Sequence, residues 1–276
     1  MGRERGHHGF MLINGVELGV EHQVDELGHR PTMLWGHGLT SSRANEDARN
    51  LFAVKAAASA AGYDLVRYDA RGHGTSEGTK DPSHYRWDSL AQDALAIHHT
   101  MASPATPWVV GGASMGAATT LHLAVVHPEV VAAMILVIPP TAWATRAAQR
   151  EQYQKGAEFV RQHGRSAYVA AANLMPVIEL FANEPEAARF APDINEALLP
   201  IVLEGAAASD LPSEHELRAL SMPALILAWD TDPGHPVVTA QRLAEYLPHS
   251  ELHVASTLAQ VRGWGPTITQ FLQGLG

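Results

Sequence analysis

The chain has 276 residues, 46% hydrophobic and 17% charged, with 29 acidic residues against 19 Lys and Arg and no Cys. Lack of Cys excludes disulfides, thiolate-bound zinc, iron–sulfur clusters and a cysteine nucleophile. A net charge of −10 without any basic block argues against a phosphate-backbone partner. The longest apolar run, Val130 to Ile138, is nine residues, well short of the ~20 that span a bilayer. The first ten residues, MGRERGHHGF, have no apolar stretch, so no secretory leader is expected. The sequence therefore predicts a cytoplasmic globular protein with no nucleic-acid or membrane partner.

Short Val-, Ile- and Leu-rich runs alternate with amphipathic stretches, which is the pattern of βα units around a mostly parallel sheet. Strands are expected at Phe10–Ile13, Val16–Val20, Thr32–Gly36, Asp64–Tyr68, Trp108–Gly112, Val131–Ile138, Ala224–Trp229 and Glu251–Ala255. Helices are expected at Asn45–Ala61, Ser89–Met101, Met115–Val126, Val237–Leu247 and Trp264–Leu275. Between Pro139 and Ser221 no strand is expected, and Ala-rich helical stretches are broken at Pro176, Pro185, Pro192, Pro200 and Pro212. A helical insertion in a strand series reads as a lid over the sheet edge, and the alternative is a long irregular crossover. The division is 1–139 for the first part of the core, 140–221 for the cap and 222–276 for the second part.

Gly112-Ala113-Ser114-Met115-Gly116 stands between a predicted strand and a predicted helix. That is the setting of a nucleophile elbow, where small neighbours let Ser114 occupy a strained turn with its Oγ exposed. The helix N-terminus favours negative charge on a reacting oxygen there. Upstream, Trp35-Gly36-His37-Gly38-Leu39 ends the third strand. Its glycines allow close approach, so the N–H of Leu39 faces that of Met115 as an oxyanion hole. His37 reads as a structural residue of that turn, and Asp69 to Ser76 as a hydrogen-bonded turn after the fourth strand.

WGHGL, YDARGHGTSEG and GGASMGAATT, in this order, resemble the α/β-hydrolase superfamily over residues 10 to 139 and 222 to 276. The resemblance implies an α/β fold with an eight-stranded, mostly parallel sheet flanked by helices, and a helical cap inserted after strand 6. It also implies a triad of Ser nucleophile, acid and His. The family places its acid after the seventh strand in a D-x-x-x-P context, which Asp232 and Pro236 match; Asp230 is the near alternative, and Asp232 could instead cap the following helix.

The base departs from the family. Members carry a His after the eighth strand, but here that stretch is Ala255-Ser256-Thr257-Leu258-Ala259-Gln260, and no His follows His253. An amide at Gln260 cannot take a proton. His235, three residues beyond Asp232, is the replacement expected here, with His37 second. The predicted function is hydrolysis of a small-molecule carboxylic ester or related acyl bond, with no cofactor and no metal. The alternatives are a non-hydrolytic member (acyl transfer, lyase or epimerase) and a silent binding protein. Trp143 is a candidate pocket wall, and Tyr153, Phe159, Tyr168, Met175, Phe181 and Phe190 line the cleft or pack the insertion.

Overall fold

Asn14 and Gly15 both sit at positive φ, 46° and 80°, as a two-residue type I′ turn requires. They join β1 (Arg5–Ile13) to β2 (Val16–Val24) in an antiparallel hairpin with Ile13 opposite Val16. The computed structural model describes residues 5–24, 30–102 and 106–275. The first four residues of the terminus read above for a leader lie outside them. The remaining strands are β3 (Thr32–Gly36), β4 (Asp64–Tyr68), β5 (Trp108–Ala113), β6 (Val131–Val137), β7 (Ala224–Trp229) and β8 (Ser250–Ala255). They form one eight-stranded sheet in the order β1-β2-β4-β3-β5-β6-β7-β8. β2 pairs antiparallel with β4, and every later pairing is parallel.

The inner strands are apolar on both faces because helices cover both. Leu34, Val66, Val110, Leu136 and Ile226 point to one face, against α3 (Trp87–Met101), α4 (Met115–Val126) and α8 (Val237–Tyr246). Met33, Leu65, Val109, Ile135 and Leu225 point to the other, against α2 (Val54–Ala61), α9 (Leu258–Arg262) and α10 (Trp264–Gln273). The helix expected at Asn45–Ala61 is two: α1 (Arg43–Arg49) and α2, separated where Asn50 and Ala53 take positive φ of 44° and 48°. Ser42 caps α1 by accepting the N–H of Asn45.

Between β6 and β7 run α5 (Arg146–Leu174), α6 (Leu199–Ala207) and α7 (Glu214–Arg218), with short 3-10 turns between α5 and α6. Gly164 breaks α5 at φ 81°. Pro200 does not interrupt a helix; it sits in the first turn of α6, where a missing N–H costs nothing. Ala157, Val160, Leu199, Val202 and Leu203 form a small core of their own with Tyr85. Arg146 is buried over the Trp87 ring at 4.2 Å and donates to Ser209 O, which ties the start of the insertion to the core.

Candidate active site

Three sheet-edge loops meet at the carboxyl ends of β3, β5 and β7, where ligand sites of parallel sheets form. Ser114 occupies the turn from β5 to α4 with φ 52° and ψ −104°, a costly conformation for a residue with a Cβ. The turn closes only because its neighbours are glycines. A Cβ on Gly116 would lie 2.1 Å from Gly36 O, and one on Gly112 would lie 2.5 Å from the same atom. The backbones of β3, β5 and α4 are thus in direct contact.

The loop after β7 supplies the partners of Ser114. Nε2 of His235 lies 2.8 Å from Ser114 Oγ, and Nδ1 lies 2.7 Å from Asp232 Oδ2. A carboxylate only accepts, so Nδ1 carries the proton and Nε2 accepts from the Ser114 hydroxyl. Asp232 also accepts the indole N–H of Trp229 at 2.9 Å and the N–H of Gly234 at 2.8 Å. Burial alone would raise the Asp232 pKa, but the hydrogen bond and charge of His235, with the Trp229 and Gly234 donors, bring it down to about 2. α8 receives no side-chain cap, so Asp232 is committed to His235 and not to that helix.

The other sequence-derived positions fall elsewhere. Asp230 accepts from Ser256 Oγ at 2.6 Å. Gln260 accepts the N–H groups of Ser256 and Thr257 in the capping box of α9, a role its spacing from Thr257 could have disclosed. His253 is exposed beside Glu251. His37 is not brought to Ser114: its Nδ1–H donates to Gly38 O at 2.8 Å, and its Nε2 accepts Ala70 N–H at 2.9 Å. Leu39 lines the cavity with Ser114. A Cβ on the adjoining Gly38 would stand 3.8 Å from Ser114 Cβ. Among the described residues, the N–H groups of Leu39 and Met115 donate to no main-chain acceptor.

A cavity of about 1080 Å3 opens beside Ser114. Its apolar walls include Ile138 and Trp229 from the core and Tyr153, Tyr168, Phe181 and Phe190 from the insertion. One expectation needs correction. Trp143 is not a wall: with φ 48° its ring turns to Tyr246, and Nε1 donates to Pro212 O. Phe159, outside the lining, packs within the insertion against His163 and Tyr168, the second of the two roles expected for it.

Comparisons with known proteins agree with this arrangement of strands. The family model for the alpha/beta hydrolase fold matches residues 31–167. The crystal structure of an enol-lactonase from Burkholderia xenovorans superposes with a TM-score of 0.76 at 22% identity, over 96% of this chain and 99% of that one. A thermophilic esterase from Thermogutta terrifontis gives 0.73 at 21%, over 98% and 99%. The chain has the α/β-hydrolase fold. A curated relative, the 3-oxoadipate enol-lactonase 2 of Acinetobacter baylyi, is 28% identical over 204 residues, 70% of each chain.

In this α/β-hydrolase fold the imidazole facing the elbow serine stands on the β7 loop, three residues from the carboxylate. Among the described residues no cluster of His, Cys, Asp or Glu is arranged to hold a metal, and no helix is long and apolar enough to cross a membrane. The Trp229 contact was missed in the sequence. Its only signal was an indole three residues before Asp232, where a tight turn brings side chains together.

Proposed function

We propose that the protein is a serine hydrolase that cleaves a carboxylic ester or related acyl bond through an acyl-enzyme on Ser114. The observation that carries this reading is the unbroken line from Ser114 Oγ to His235 Nε2 at 2.8 Å and from His235 Nδ1 to Asp232 at 2.7 Å. Nε2 takes the Ser114 proton as Oγ attacks the acyl carbon, and the imidazolium faces the Asp232 carboxylate. Leu39 and Met115 N–H groups hold the oxyanion. Nε2 returns the proton to the leaving alkoxide. It then removes one from water, whose oxygen attacks the acyl carbon and releases the acid while Ser114 is re-protonated.

The lack of an imidazole after β8 was the motive for a non-hydrolytic reading. An imidazole already bonded to Oγ supports hydrolysis instead. Residues 140–221 act in this reading as a cap that walls the cavity with aromatic side chains. At about 1080 Å3, the cavity lies just above the ~300–1,000 Å3 common for small-molecule sites. Its size favours a bulky ester over a small lactone, and its walls combine the aromatic side chains of the insertion with charged ones such as Asp47, Arg49 and Arg189. A panel of aryl and alkyl esters of rising acyl length, with a serine-reactive phosphonate, tests the proposal. Turnover with labelling that is lost in Ser114→Ala is expected. Turnover retained in a folded Ser114→Ala protein would overturn it.

A further inference from the structure

Trp229 is the last residue of β7, and its ring is clamped. It stacks on Trp264 with centroids 6.1 Å apart and planes at 19°, and meets Phe181 edge-on at 5.7 Å. From there its indole N–H reaches Asp232 Oδ2, the same oxygen that accepts Nδ1–H of His235. The His235 ring stands at 86° to the indole, 6.1 Å between centroids. Acid and imidazole ride on one short loop, residues 230–236, which turns through Thr231 at φ 65°. Within that loop the carboxylate receives Gly234 N–H, and the Asp232 carbonyl receives the main-chain N–H of His235. These bonds travel with the loop if it shifts. The indole bond does not, because its ring is fixed among core aromatics.

We propose that Trp229 is a positioning residue: its indole N–H pins Oδ2 of Asp232 to the sheet and thereby sets the imidazole of His235 against Ser114. The proposal rests on the reading of Ser114, Asp232 and His235 given above. In members with the imidazole on a separate loop, acid and base are anchored independently; here one loop carries both. Its backbone is tied outside at Asp230 to Ala255 and at Gly234 to Thr141. Among the described residues, the indole is the partner outside the loop that holds the Asp232 carboxylate itself. The indole has a second effect. It draws charge from the oxygen that faces the imidazole, so removing it lets the carboxylate hold a proton on the ring more strongly.

Trp229→Phe keeps an aromatic ring in the stack and deletes the N–H. The expected result is a fall in kcat of about tenfold, the scale of one lost hydrogen bond, with KM for a small ester changed less than ~2-fold. The acid limb of kcat/KM should move to higher pH by roughly half a unit. A packing role alone would lower Tm and leave that limb in place. Wild-type kcat and an unmoved limb in Trp229→Phe overturn the proposal. Should that variant not fold, indole 15N spectra of the wild type decide. One of the six Trp N–H signals must titrate with the acid limb and stop doing so in His235→Gln, and if none does the proposal fails. Turnover in Ser114→Ala would remove the underlying reading. A silent Trp229→Phe beside an inactive Ser114→Ala would remove only this one.

Discussion

At the carboxyl edge of the sheet, the loops after β3 and β4 bury His37 and His73 with both nitrogens of each ring bonded to main chain. The loop after β7 gives His235 only side-chain partners, Asp232 and Ser114. His73 donates from Nδ1 to Arg71 O and accepts Thr40 N–H on Nε2 at 3.2 Å. His37 does the same between Gly38 O and Ala70 N–H, and the two rings lie 5.1 Å apart. The pair cross-links the loop carrying Leu39 to the loop carrying Asp69. Burial holds both rings neutral, with His73 down to about 3 and His37 lowered in the same direction. A histidine whose nitrogens are both spent on the backbone is a clasp. One that bridges a carboxylate and a hydroxyl is equipped to move a proton.

The sharpest way to break this contrast is to remove each ring in turn. His235→Ala should lower kcat by at least ~10², the lower end of general-base contributions, with little change in Tm. Ser114→Ala should fall further, on the order of 10⁶. His37→Ala should leave the buried Ala70 N–H without its acceptor at a cost of about 1–3 kcal/mol, seen as a lower Tm. Inactivity of a fully stable His37→Ala together with an active His235→Ala would reverse the two roles.

Acid sharpens the same contrast through stability. The unfolded chain takes up protons on His37 and His73 below their ordinary 6.5, and the folded chain refuses them until far lower pH. Their contribution is therefore whole above 6.5 and is lost as pH falls from there toward about 3. For His73 alone the slope is roughly 1.4 kcal/mol per pH unit. His22 and His98, also lowered by burial, add to it. The contribution of Asp69 and Asp232, both brought down to about 2, is whole above their ordinary 3.8 and is lost only below it. Glu46, raised to about 8, gives an opposing slope over the same window. Denaturant titrations between pH 7 and 4.5 therefore read the histidines only as a difference between wild type and a histidine variant. His73→Gln, whose amide can both donate and accept but not titrate, should flatten the slope, and an unchanged slope would show that His73 is not the ring refusing the proton.

How much of this was legible in the sequence varies by element. The parallel strands were, because residues buried on both faces leave unbroken apolar runs that Gly, Asp or Pro end at the sheet edge. The elbow was, since Gly112 and Gly116 have no substitute where three backbones touch. The break between α1 and α2 was not: Asn50-Leu51-Phe52-Ala53 contains no Gly or Pro, and the left-handed turns there are held by tertiary packing of Leu51 and Phe52. Trp143 was placed on the wrong side for the same reason, since a positive φ at a bulky residue has no local signature. Spacing alone brings Asp232 and His235 near each other, as residues three apart in a tight turn. The direction in which that turn aims Nε2 is set by the sheet and by the aromatic stack around Trp229.

Glu46 offers the smallest test, and it asks whether an unbonded polar atom is enough to mark a working group. One of its oxygens accepts Trp35 Nε1–H at 2.9 Å, while Oε1 is buried with no partner. The nearby cations are already taken: Arg67 and Lys55 by Glu21 and Asp47, and Arg43 by Asp69. Burial therefore prevails over the Trp35 bond and raises the carboxyl to about 8. The unfolded chain ionises this group above 4.5 and the folded chain does not until about 8, so stability is drained as pH rises through that window. Glu46→Gln keeps an acceptor for the indole and cannot ionise. It should match the wild type at pH 4.5 and exceed it at pH 8 by on the order of 1 kcal/mol, about 2–4 °C in Tm. The full linkage is larger, but a small opening of α1 would let water reach the carboxylate and relieve part of it. Equal Tm at both pH values would mean that Glu46 is ionised in the folded chain. A gain confined to high pH would show that this orphaned oxygen is a cost of the fold, unlike the nitrogen of His235 that faces Ser114.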